Sequence, residues 1–205
     1  MPLYKEWNPN LHSLAAIWHI SEPEAFFAEQ VPVSANHIAH SKRRIEFLAG
    51  RFLLQYLNKD FPLHAILRDE HDKPQLPDRE FHFSISHSFP YVACIISTDS
   101  AVGIDIQCWH KSILALQRKF LSEQEQLHCE NESRKITLAW SIKEAAYKYQ
   151  GLRGVEFIEH LPILKWEEKD ELFDIVIKLQ LTSPIENVNV KGLLFNDFAL
   201  AFAAK

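Results

Sequence analysis

The sequence predicts an α+β fold with antiparallel sheets, on three observations. Residues 41–57 and 133–150 repeat apolar side chains at intervals of three and four, the period of an amphipathic helix. Each helical stretch is followed by apolar or alternating segments of strand length. The connections between those segments are short, which suits antiparallel neighbours.

Taken in order, the first forty residues carry little. From Ser41 to Leu57 the helix face comprises Ile45, Leu48, Ala49, Phe52, Leu53 and Tyr56, and the basic cluster Lys42-Arg43-Arg44 lies at its start. Turn-like Asp72-Lys73-Pro74 and Pro77-Asp78 then precede three strands, Phe81 to Ser86, Tyr91 to Ser97 and Val102 to Gln107, expected as an antiparallel meander. A second helical stretch covers Ser112 to Phe120, where Trp109, Ile113, Leu116 and Phe120 read as core. The third runs from Ser133 to Gln150 with Ile136, Ala139, Trp140, Lys143 and Tyr147 down one side. Strands close the chain at Ile163 to Trp166, Phe173 to Leu181, Val188 to Leu194 and Phe198 to Phe202. Helix followed by strands thus occurs twice, which hints at duplication.

A chain of 205 residues with 47% apolar content can bury a full core. Its 22 basic and 27 acidic side chains leave a formal charge of −5, so there is no global field to attract nucleic acid, and phosphate recognition must be local. Cys94, Cys108 and Cys129 are odd in number and lack ligand-like spacing, and read as reduced thiols, with Cys94 in the core. His37 and His40 lie three apart with no carboxylate partner in sight and read as surface side chains rather than zinc ligands. With no leader-like opening and no membrane-spanning apolar run, a cytoplasmic monomer is expected.

Three segments carry the chemistry. In Val102-Gly103-Ile104-Asp105-Ile106-Gln107 the alternation directs Asp105 and Gln107 to one face of a strand. In Trp140-Ser141-Ile142-Lys143-Glu144-Ala145-Ala146-Tyr147-Lys148, Glu144 and Lys148 stand one helical turn apart. The third segment is Phe83-Ser84-Ile85-Ser86-His87. Oxygen ligands and a cation in this combination suit a magnesium-bound pyrophosphate. The plain readings compete: Asp105 as the exposed side of an edge strand, Glu144 and Lys148 as a solvated helix pair, and Lys42, Arg43, Arg44 and Arg51 as a solvated helix face. Ser86-His87 is not a hydrolase pair, because neighbours on a strand point to opposite faces and no Gly-x-Ser-x-Gly elbow surrounds them.

These segments, in this order and spacing, resemble the 4′-phosphopantetheinyl transferases of the surfactin-synthetase-activating type. That family shows a Ser-His segment, a Gly-Ile-Asp strand and a Trp-Ser/Thr-x-Lys-Glu-x-x-x-Lys helix, matched here by Ser86-His87, Gly103-Ile104-Asp105 and Trp140 to Lys148. Weaker similarity reaches Lys73-Pro74-Gln75-Leu76-Pro77 and Arg43 to Arg51. The resemblance implies two similar α+β halves related by pseudo-twofold symmetry, residues 1–103 and 104–205, with coenzyme A in the cleft between them.

It further implies Mg2+-dependent transfer of 4′-phosphopantetheine from coenzyme A to a serine of an apo acyl or peptidyl carrier protein, releasing adenosine 3′,5′-bisphosphate. On that basis Asp105, Gln107 and Glu144 hold the metal, and Glu144, Lys148 and Asp105 carry the reaction. Lys148 meets the phosphates and Lys143 supports the phosphates or Glu144, while Lys73, Ser86 and His87 contact the nucleotide, and one or more of Lys42, Arg43, Arg44 and Arg51 meets the 3′-phosphate. Gln107 departs from the Glu that many relatives carry. Two rivals stand beside this reading: a non-catalytic module that binds coenzyme A or a carrier, and a metal-dependent nuclease.

Overall fold

The computed structural model describes residues 2–68, 74–77 and 80–205, with the backbone alone at Arg68. It divides into two units, Met1–Ala101 and Val102–Lys205, each α+β with an antiparallel sheet and one long helix.

Unit 1 opens with a hairpin, β1 (Leu3–Asn10) and β2 (Ser13–His19), followed by α1 (Glu24–Gln30) and α2 (Ser41–Leu57). A short pair, β3 (Leu67–Arg68) and β4 (Pro74–Gln75), leads to β5 (His82–Ser88) and β6 (Tyr91–Ser97). The main sheet runs β1-β2-β6-β5. The helical repeat of α2 places Leu48, Ala49, Leu53 and Leu54 in a core with Trp18, Phe27, Phe83 and Val92. Cys94 is wholly buried there, and its thiol donates to the Gly50 carbonyl at 3.4 Å.

Unit 2 begins with β7 (Val102–Cys108) and continues through α3 (Ile113–Leu116), α4 (Glu123–Cys129), α5 (Ser133–Gln150) and α6 (Phe157–His160). Four strands follow: β8 (Ile163–Lys169), β9 (Leu172–Leu179), β10 (Glu186–Leu194) and β11 (Phe198–Ala204). The sheet order is β7-β11-β10-β9-β8. One face of α5, with Leu138, Ile142, Ala145 and Ala146, packs on Ala199, Ala201 and Ala203 of β11, whose small side chains let the helix come close. Gly151 ends α5 at φ 71°, a left-handed conformation that glycine adopts without a Cβ penalty, and its N–H closes on the Tyr147 carbonyl at 3.0 Å.

The expected meander over residues 81–107 is corrected here. β5 and β6 pair as a hairpin, but β7 pairs with β11, placing Asp105 opposite Ala201. β6 is already paired on both edges, by β5 and by β2, so it has no edge left for β7. Among the described residues no helix is long and apolar enough to cross a membrane.

Candidate active site

Gly103 decides how closely β7 meets α5. A Cβ at Gly103 would lie 2.0 Å from the Ala145 carbonyl oxygen and 2.8 Å from the Tyr149 nitrogen, so strand and helix backbones are in direct contact at that point. Ala145 follows Glu144 and Tyr149 follows Lys148, so this approach brings both motif side chains to the strand. Lys148 Nζ donates to Asp105 Oδ1 at 2.7 Å and to the Ile104 carbonyl at 3.1 Å.

Asp105 is 6% exposed rather than edge-solvated. Glu144, one turn before Lys148, has its carboxyl pushed up to about 7, first by burial and then by the Asp105 charge, against the opposing pull of Lys148. Two carboxylates and one ammonium therefore meet here, and the Asp105 charge disfavours the ionised form of Glu144.

Gln107, two residues on from Asp105, donates from Nε2 to the Cys108 carbonyl at 3.3 Å. It borders a pocket of about 250 Å³ with His110, Ile113, Leu116, Phe120 and Trp140. Of the residues read as core around that segment, Phe120 is buried but Leu116 is 40% exposed, and Arg118 and Lys119 are exposed beside it.

Among the described residues no group of three or more His, Cys, Asp or Glu gathers to hold a metal ion. The donor set fits magnesium in another way. Asp105 and Glu144 supply two hard anionic oxygen ligands and Gln107 an amide oxygen, while magnesium ordinarily keeps several waters and substrate phosphate oxygens.

Lys143 is not brought to that group. It is 0% exposed and donates to Glu125 Oε1 at 2.8 Å and to the Phe157 carbonyl at 3.0 Å. Burial pulls its ammonium below the usual lysine range. The sequence reading missed Glu125, although Ser122-Glu123-Gln124-Glu125 has the spacing of a capping box, and the box forms at the start of α4.

In unit 1, Ser86 is buried on β5 and His87 is half-exposed, with Nδ1 3.4 Å from Oε2 of the buried Glu46 on α2. Glu46 was also missed, because it lies inside a helix whose apolar repeat draws attention to other positions. Arg44 is engaged, donating from Nε to Glu24 at 2.8 Å and from Nη1 to the Ala39 carbonyl at 3.0 Å. Arg51 lies 3.7 Å above the Phe47 ring and borders a pocket of about 260 Å³ with His37 and His64. Lys42 is exposed with its ammonium 5.1 Å from the Phe89 ring, Arg43 is exposed, and Lys73 lies outside the described residues.

Comparison with known proteins covers both units. A family profile described as "4′-phosphopantetheinyl transferase superfamily" matches residues 101–203, and one described as "4′-phosphopantetheinyl transferase N-terminal domain" matches residues 31–97. The chain is similar to "4′-phosphopantetheinyl transferase gsp" of Aneurinibacillus migulanus, 30% identical over 68% of this chain and 59% of that one. It is also similar to "4′-phosphopantetheinyl transferase AcpT" of Escherichia coli K12, 29% identical over 53% of this chain and 59% of the relative. The chain thus spans less than two thirds of the length of either curated relative.

Proposed function

This chain belongs to the 4′-phosphopantetheinyl transferase superfamily, and from that premise we propose that it moves the 4′-phosphopantetheine arm of coenzyme A to a serine of an apo acyl or peptidyl carrier protein, releasing adenosine 3′,5′-bisphosphate. The surfactin-synthetase-activating type is proposed from the motif resemblance of Ser86-His87, Gly103-Ile104-Asp105 and Trp140 to Lys148. The observation that carries the reading is the meeting of Asp105, Glu144 and Lys148 across the close contact of β7 and α5.

Each group has a role in displacement at the β-phosphorus. Glu144, with its carboxyl at about 7, takes the proton of the carrier serine directly or through one water, at a pH where an ordinary carboxylate is a much weaker base. Lys148 stabilises negative charge on the departing phosphate. Asp105, Glu144 and Gln107 would hold magnesium, which would supply neutralisation of the charge on the pyrophosphate oxygens. Lys143, enclosed against Glu125, has no direct part in this scheme. In unit 1, Lys73, Ser86 and His87 contact the nucleotide. Of the four basic residues on α2, the exposed Lys42 and Arg43 suit its 3′-phosphate better than Arg44, whose guanidinium is engaged by Glu24, and Arg51 is the remaining candidate.

The test is intact-mass analysis of several apo-carriers incubated with the protein, coenzyme A and magnesium. A pantetheinyl increment that vanishes with chelator is expected. Coenzyme A binding without an increment on any carrier would leave a binding module, and cleavage of DNA would leave a nuclease.

A further inference from the structure

Lys143 is a charged motif residue that the proposed transfer chemistry does not use, and the structure gives it other partners. Its Nζ lies 2.8 Å from Oε1 and 2.9 Å from Oε2 of Glu125, and donates to the Phe157 carbonyl at 3.0 Å. Glu125, 5% exposed, accepts in addition from the backbone N–H of Ser122 at 2.7 Å and of Ile163 at 2.8 Å. One buried ion pair thus joins the start of α4, the middle of α5, α6 and the start of β8.

Stability alone gives little reason for this arrangement. Taking two ions out of water costs several kcal/mol each in general, and well-packed apolar side chains of the same volume are often at least as stabilising. What apolar packing does not supply is a set of directional, charge-assisted bonds that fix the rotation and axial position of a helix. Both matter on α5, because the residue after Lys143 is Glu144 and Lys148 follows one turn later.

We propose that Glu125 and Lys143 are positioning residues that hold α5 against β7, so that Glu144 and Lys148 stay at Asp105. The kinetic part of this inference rests on the transfer reading; the geometric part does not.

The test is the double variant Glu125→Gln/Lys143→Met, which leaves no buried charge, keeps an amide oxygen for one of the two backbone N–H groups that reach the separate Glu125 oxygens, and retains an unbranched chain on α5. Its kcat for carrier loading is expected to fall about tenfold to hundredfold, as when supporting groups are lost or reacting groups are displaced. The KM for coenzyme A should stay within about twofold, because misplaced reacting groups are felt in the transition state more than in ground-state binding. Crystals of the variant should show Lys148 Nζ moved out of hydrogen-bonding reach of Asp105. A folded variant with kcat within about twofold of wild type, or with the Lys148–Asp105 contact kept, overturns the proposal. If wild-type protein loads no carrier, the transfer reading fails and the contact in the crystals still decides the pair. Should the double variant not fold, Glu125→Gln takes its place with the same overturning results.

Discussion

Lys148 bridges the side chain of Asp105 and the main chain of Ile104, at 2.7 and 3.1 Å, so a single ammonium is anchored to two successive residues of β7. That anchoring holds a cation beside a buried carboxylate and leaves Glu144, one turn earlier, as the second anionic group. Burial first and the Asp105 charge second raise the Glu144 carboxyl, against the opposing pull of Lys148.

Glu144→Gln is expected to abolish transfer while weakening coenzyme A binding only modestly, and to make the protein more stable in neutral solution. The sign follows from linkage. The folded carboxyl sits at about 7 against an ordinary 4.5, so between those values the folded chain binds more protons and stability falls as pH rises. Above about 7 the whole cost is present, up to about 3 kcal/mol, and the amide removes it. Urea unfolding of both proteins at pH 8 checks this; equal midpoints would show that Glu144 carries no such penalty. In wild type, transfer at limiting magnesium should rise through about pH 7, with the midpoint moving lower as magnesium is added, because a nearby cation favours the carboxylate.

Gly103→Ala tests the backbone contact. Its Cβ would need the space of the Ala145 carbonyl, 2.0 Å away, and that atom belongs to a helix that cannot yield locally. Overpacking typically costs about 1–3 kcal/mol, and a clash with helix backbone belongs at the upper end of that range. A wild-type unfolding midpoint would mean that β7 and α5 do not pack as described.

Residues 109–121 carry Lys111, Arg118 and Lys119 and no Asp or Glu, with Leu114 and Leu116 exposed next to the pocket beside Gln107. This surface suits an acidic carrier helix. Reversing Arg118 and Lys119 to Glu should raise the carrier KM several-fold, chiefly through slower encounter, and leave coenzyme A affinity unchanged. No change for any carrier tested would move the docking surface elsewhere.

In the proposed metal site Gln107 would bring no charge, so magnesium should bind weakly alone and more tightly with coenzyme A, whose pyrophosphate would add oxygen ligands. The coupling expected is about 1–3 kcal/mol. Gln107→Glu should raise magnesium affinity in the free protein and reduce the coupling, whereas Asp105→Ala should raise the magnesium requirement steeply. Calorimetry with each ligand alone and then together decides it: independent binding in wild type would remove Gln107 from the assigned position.

Much of this protein is written in local pattern. The helix from Ser133 to Gln150 and the strand beginning at Val102 were both readable from side-chain periodicity, because a helix or strand exposes its period within a few residues. The spacing of Glu144 and Lys148 likewise puts them on one helix face whatever the rest of the chain does.

What the sequence left open was what each face would meet. Val102 to Gln107 reads as a third strand of a meander, but β2, from the opening residues that carry little pattern, takes the edge of β6, and β7 joins a sheet completed by the last strand of the chain. Lys143 reads as a support for the phosphates or for Glu144, and its own side of α5 is closed by Glu125, eighteen residues away, while the Glu144 side is brought to Asp105 by a glycine. Strand pairing and the partners of a charged side chain are non-local: they depend on which segments arrive from elsewhere in the chain, and residue type and spacing do not encode that arrival.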